Sequence, residues 1–232
     1  METTKNKNIK FLTFLNNGCV EICKNMLKSA ENVGINLDDF YIACIDKKSY
    51  DAFCHYKNCF LFCEQDLEDY QNWSFDQNSK FRQIVKYKWK VIQTVFEKEK
   101  NILWVDTDIV FRKNPISFFE NKNDVLFQTG RPGSLICSGF MFFPDTEIAK
   151  GIIQECANVE GADDQFIVNA VAQKYRHGIL PSTLFPNGHV YYQRKIKNKE
   201  AIIVHNNYMV GIDNKIKKFK KENLWYIKEG NE

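Results

Sequence analysis

The sequence predicts a single α/β domain in which an open, mostly parallel central sheet is flanked by helices. Apolar runs of strand length alternate along the chain with segments of helical periodicity, the order expected of βαβ units. The most apolar run, Ile102 to Phe111, is continuous and does not alternate, as in a strand covered on both faces. Neither Pro nor Gly clusters to mark a linker, and 232 residues suit one domain, 1–232, with a sizeable core.

Ile9 to Leu15 reads as the first strand, Asn16-Asn17-Gly18 as a turn, and Cys19 to Val33 as a helix with Val20, Cys23, Leu27 and Ala30 on one face. Phe40 to Ile45 is a second buried strand ending at Asp46, and Cys59 to Cys63 a short third one before the polar stretch Glu64 to Lys80. Ile84 to Phe96 follows as a helix whose apolar stripe includes Ile84, Val91 and Val95, with Lys86, Lys90, Gln93 and Glu97 opposite. Lys88 falls on that stripe, so it must either snorkel along the helix or point into a cavity beside the sheet. A buried lysine in apolar surroundings should be replaceable by Met without loss of stability. After the central run, strands are expected around Val125 to Phe127, Phe140 to Phe143 and Ile202 to Val204. Asp163 and Asp164, ahead of Phe166, Ile167 and Val168, mark a helix N-terminus, where capping needs only one carboxylate. Ile212, Ile216 and Phe219 at helical spacing make the lysine-rich segment through Lys221 an amphipathic surface helix.

Composition removes several function classes. Lys plus Arg number 32 against 29 Asp plus Glu, a net charge of +3, which is far from the basic stripe of a nucleic-acid binder. The apolar run after the polar first eight residues ends at Asn16, so neither a signal peptide nor a membrane anchor is visible and a cytoplasmic location is expected. The eight cysteines are then expected as reduced thiols. Cys54, Cys59 and Cys63 with His55 invite a zinc reading, but they lack the close Cys-x-x-Cys pair of most structural sites.

The informative anomaly is the pair Asp106 and Asp108 inside Ile102 to Phe111. Unpaired charges are costly in such a run, and two carboxylates at i and i+2 in a bending chain can hold one hard divalent cation at the carboxyl edge of a parallel sheet. The bland alternative is a pair of solvated aspartates in a turn.

These features resemble a known family. Asp106-Thr107-Asp108, followed by Ile109-Val110-Phe111 and Asn114-Pro115, resembles the Asp-x-Asp segment of nucleotide-sugar-dependent glycosyltransferases of the GT-A (Rossmann-like) fold. The resemblance is to the nucleotide-diphospho-sugar transferases, the group with plant xylosyl- and arabinosyltransferases and related galactosyltransferases. It runs from about Phe11 to Trp225. Asn16-Asn17-Gly18 with Asn25 and Ser29 resembles the first nucleotide-binding turn and helix, and Ile42 to Asp46 the strand and acid that follow. Lys88 sits where the family has a lysine. Cys137-Ser138-Gly139-Phe140 resembles an Asn-x-Gly-Phe segment with Cys137 in place of Asn, and Asp163-Asp164-Gln165 resembles an Asp-Gln element. Phe185-Pro186-Asn187-Gly188 and His205-Asn206-Asn207 through Gly211 and Lys215 to Trp225 resemble the closing segments.

The resemblance implies a metal-dependent transferase that moves a sugar from a nucleotide diphosphate donor, a UDP-sugar, to a hydroxyl of a glycan or glycoprotein. Mn2+ or Mg2+ would be held by Asp106, Asp108 and His205, with Asp108 the first choice of ligand. Asn16, Asn17, Asp46, Lys88, Asp106, Thr107, Ser138 and Gly139 would contact the donor, Asp106 holding the metal through water or reaching the ribose. Gly211 and Lys215 would bring residues 205–225 over its diphosphate, and Asp164, Gln165 and Lys88 would lie nearest the chemistry. Two alternatives remain from the residues alone: a haloacid-dehalogenase-type Mg-dependent phosphatase with Asp106 as nucleophile, and a catalytically inactive sugar-nucleotide-binding protein.

Overall fold

The computed structural model describes residues 8–63, 84–85, 87–131, 135–159, 163–193 and 199–228. The polar stretch Glu64 to Lys80, and Lys86 of the expected helix Ile84 to Phe96, lie outside them. Strands β1 (Lys10–Leu15), β2 (Phe40–Cys44), β3 (Asn58–Leu61), β4 (Ile102–Val105), β6 (Leu126–Arg131), β7 (Leu135–Phe143) and β8 (Gly178–Ile179) form a seven-stranded sheet in the order β3-β2-β1-β4-β7-β6-β8. The helices are α1 (Val20–Asn32), α2 (Lys47–Phe53), α3 (Tyr87–Glu99), α4 (Ile116–Phe119), α5 (Glu147–Asn158), α6 (Asp164–Ala172) and α7 (Ile212–Lys221).

Successive side chains point to opposite faces of the sheet and both faces are covered, so the strands read as continuous apolar runs. Phe11 and Leu15 of β1 pack with Phe40, Leu103 and Val105 against Cys23, Met26 and Leu27 of α1. Leu12 faces the other way, with Trp104 and Met141, toward Trp89, Val91 and Val95 of α3 and Ile152 and Ile153 of α5.

The expected single strand Ile102 to Phe111 is two strands. β4 ends at Val105, the chain turns through Asp106-Thr107-Asp108 with the Ile109 amide donating to the Asp106 carbonyl, and β5 (Ile109–Phe111) leaves the main sheet. It pairs antiparallel with β9 (Ile203–His205) in a separate two-stranded sheet, in register Ile109 to His205. Val110 and Val204 of that sheet pack against Ile22, Ile212 and Phe219, so apolar residues beyond the aspartates are satisfied by a second small core.

β1 pairs parallel with both β2 and β4, whereas β7 runs antiparallel to β4 and β6. The chain therefore leaves β1 in one direction and β4 in the other, which opens a crevice at their carboxyl ends. Asn16 and Asp106 follow directly on β1 and β4 at this edge, and Asp46 follows β2 after Ile45. Because β7 is antiparallel, its interior residues Ser138 and Gly139 reach the same edge, next to the Val105–Phe140 pair.

Candidate active site

Asp106 is fixed from three sides. Its amide donates to the Gly139 carbonyl at 2.8 Å, and its Oδ1 accepts from Trp104 Nε1 at 2.8 Å and lies 3.1 Å from Lys88 Nζ. Asp108 is more deeply buried and faces two basic side chains, His205 through Nε2 at 3.2 Å and Lys215 through Nζ at 2.7 Å. The β5–β9 register sets His205 beside the turn, and the Asn206 amide locks it there by donating to the Asp108 carbonyl at 2.9 Å. One ligand atom each from Asp106, Asp108 and His205 lies within 4.8 Å of the other two. Among the described residues this is the one such group of His, Cys, Asp and Glu, and Cys54, Cys59, Cys63 and His55 do not form another.

Gly139 makes room for the cluster. A Cβ there would overlap the His205 ring and come within 2.8 Å of Asp106 Oδ2. Oxygen and imidazole donors of this kind suit a divalent cation, so the residues fit the group that the sequence implies.

Electrostatics of the cluster are balanced by pairing. Burial alone would raise the Asp108 carboxyl, but Lys215 and His205 outweigh it and hold it well below the usual carboxylate range. Burial likewise opposes charge on His205, yet Asp108, with a lesser contribution from Cys137, raises the imidazole to about 10. Lys215 is raised by the same carboxylate against the effect of burial.

Lys88, 3% exposed, does not snorkel. It comes from the first turn of α3, and it pairs with Asp106 and Asp164, donates to the Ser138 carbonyl at 3.2 Å and lies 5.1 Å from the centre of the Trp104 ring. Burial opposes its charge, but the two carboxylates prevail and raise it. The adjacent aspartates divide their work. Asp163 caps α6 by accepting from the Gln165 amide at 3.0 Å, while Asp164 Oδ2 takes Lys88 and the Ser138 hydroxyl, the latter at 2.8 Å. Gln165 follows, half-buried.

This fold has relatives. The family described as nucleotide-diphospho-sugar transferase matches residues 35–219. The chain belongs to this family. Among curated proteins, it is 26% identical to a UDP-galactose:fucoside alpha-3-galactosyltransferase of Dictyostelium discoideum, over 96% of this chain and 44% of that protein. It is 28% identical to a UDP-D-xylose:L-fucose alpha-1,3-D-xylosyltransferase of Arabidopsis thaliana, over 57% of this chain and 47% of that one. The chain thus spans under half the length of either relative. Among solved structures, the bifunctional glycosyltransferase WbbM superposes with a TM-score of 0.58 at 13% identity, covering 96% of this chain and 52% of WbbM. The galactosyltransferase LgtC superposes with a TM-score of 0.54 at 10% identity, covering 84% of this chain and 86% of LgtC. These likenesses show the GT-A fold.

Within this nucleotide-diphospho-sugar transferase architecture, the remaining residues expected at the site fall into two sets. Thr107 lies at the middle of the Asp106–Asp108 turn, and Gly211, at φ 84°, precedes α7, from which Lys215 reaches Asp108. By contrast, the oxygens of Asp46 are both engaged with backbone: one accepts from the Asn17 amide at 2.7 Å and the other caps α2 at Ser49. Asp46 therefore ties the turn after β1, with buried Asn16, to the turn after β2.

Sequence reasoning missed Gln128, which is fully buried and lies 2.7 Å from His205 Nδ1 through Oε1, and Trp104, whose indole holds Asp106. A lone amide directly after the apolar Val125 to Phe127 was the signal for Gln128.

Proposed function

We propose that this chain transfers a sugar from a UDP-sugar to a hydroxyl of a glycan or glycoprotein acceptor, with a divalent cation held by Asp106, Asp108 and His205. The observation that carries this reading is the convergence of those three side chains, from a turn and a distant strand, on one point at the carboxyl edge of the sheet. The names of the relatives support UDP-galactose and UDP-xylose as donors and a fucoside as acceptor.

A bound cation would neutralise the charge that builds on the departing nucleoside diphosphate, and an imidazole ligand favours Mn2+ over Mg2+. Lys215 would supply a point charge to the diphosphate from residues 205–225, which would close over the donor, with Gly211 allowing close approach of the backbone. Lys88 would hold the Asp106 and Asp164 carboxylates in place, so that Asp164 and the Ser138 hydroxyl orient the sugar. Gln165, directly after Asp164, would sit nearest the reacting carbon. Asn16, Asn17, Asp46, Thr107 and Gly139 would shape the nucleotide pocket, Asp46 by holding the Asn17 turn.

The test is hydrolysis of a panel of UDP-sugars by purified protein with Mn2+, Mg2+ or chelator, followed by transfer to a fucoside. Metal-dependent release of UDP from UDP-galactose or UDP-xylose is expected. Turnover of phosphate monoesters without any on nucleotide sugars would refute the reading.

A further inference from the structure

Gln128 stands where the pairing of β6 with β7 slips. Phe127 faces Met141 but Gln128 faces Cys137, so Ser138, Gly139 and Phe140 have no partner in β6. Irregularities of this kind re-aim side chains. The carboxamide is used at both ends: its Nε2 donates to the Phe185 carbonyl at 3.1 Å and its Oε1 lies 2.7 Å from His205 Nδ1. A carbonyl can only accept, so Phe185 fixes which end of the amide is NH2. Oε1, an acceptor, then faces the imidazole, and Nδ1 must carry a hydrogen. The opposite ring nitrogen, Nε2, is the one that faces Asp108 at 3.2 Å.

We propose that Gln128 is a positioning residue that fixes His205 as the tautomer protonated on Nδ1, so that Nε2 offers its lone pair to a divalent cation between Asp106 and Asp108. This rests on the reading of that cluster as a cation site. The Asp108 carboxylate favours the opposite arrangement, because it would draw a single imidazole proton to Nε2 and close the lone pair. Gln128 supplies the competing acceptor. The Cys137 thiol, 3.8 Å from the same Nδ1, is a weaker acceptor and already takes a hydrogen bond from Asn207 Nδ2 at 3.4 Å, so it does not replace the amide.

Two substitutions separate this role from simple packing. Gln128→Met and Gln128→Glu both remove the donor to Phe185, but only the Met variant removes the acceptor for Nδ1. Titration of Mn2+ by electron paramagnetic resonance in the presence of UDP, with melting temperatures measured in parallel, should show Gln128→Met weakened by roughly 10–100-fold. Gln128→Glu should bind at least as tightly as the parent. Equal weakening in both variants, or none in Gln128→Met, would overturn the proposal. Should Gln128→Met fail to fold, a long-range proton–nitrogen spectrum of the unaltered chain with Mg2+ and UDP decides: a proton on Nδ1 and none on Nε2 is expected, and the reverse refutes it. His205→Ala in the same titration tells the two levels apart. Unchanged Mn2+ affinity there removes the cation site and this inference together, whereas a loss there with none in Gln128→Met removes this inference alone.

Discussion

Lys215 and Asp108 are 107 residues apart in the chain and 2.7 Å apart in space, and the ammonium of the first lies on the carboxylate that would hold a cation. Helix α7 is thus docked on the candidate site by the same charge that, in the proposed reading, would grip a diphosphate. On that reading Lys215 would have two opposed effects, competing with a bare cation for Asp108 and assisting the cation–nucleotide pair. Lys215→Met should lower metal-free stability by about 2 kcal/mol. It should also tighten binding of Mn2+ alone and weaken binding of UDP with Mn2+. Calorimetry with and without the nucleotide checks this, and a fall in both affinities would contradict the competition.

Lys88→Met should be strongly destabilising, contrary to what its place on an apolar stripe predicts. The sequence does not reveal that Asp106 and Asp164 both lean on this one ammonium. Removing it leaves two carboxylates without their shared countercharge, at a cost of about 3–5 kcal/mol. Adding Asp164→Asn should return part of the melting temperature and none of the transfer activity.

Gly139→Ala should disturb the site more than the fold. The added Cβ meets His205 and Asp106, so the ring must move, at a cost of about 1–3 kcal/mol, and Mn2+-dependent UDP binding should fall at least tenfold. An alanine variant with parental affinity would show that the cluster tolerates expansion.

His205 gives the metal-free protein a pH dependence. Its folded pKa is raised from the ordinary 6.5 to about 10, so the stabilisation by its Asp108 pair is complete below pH 6.5 and is lost as pH rises toward 10. Thermal melts of metal-free protein should fall across that window, and His205→Gln should flatten the fall. Binding of Mn2+, which must displace the Nε2 proton, should tighten over the same range.

The strands and helices that frame the crevice were legible because both faces of β1, β2 and β4 are buried, which makes each a short continuous apolar run. The candidate metal ligands were legible as charges out of place: Asp106 and Asp108 in an apolar run, and His205 ending another. What sequence periodicity does not carry is long-range pairing. The break at Asp106 that sends Ile109–Phe111 to β9, and the antiparallel entry of β7 beside β4, depend on partners far along the chain. The same holds for Gln128 with His205 and for Asp46, whose carboxylate serves two backbone amides at neighbouring turns.

The most direct measurement of the central claim is calorimetric binding of UDP to Asp108→Asn and to the parent chain, each with Mn2+ and with chelator. Asparagine keeps the size of the side chain and an acceptor for Lys215 but removes the charge that a cation needs. A cation site at Asp108 requires tight, Mn2+-dependent UDP binding by the parent and none by a folded Asp108→Asn variant. Equal Mn2+-dependent affinity in the two proteins would contradict it.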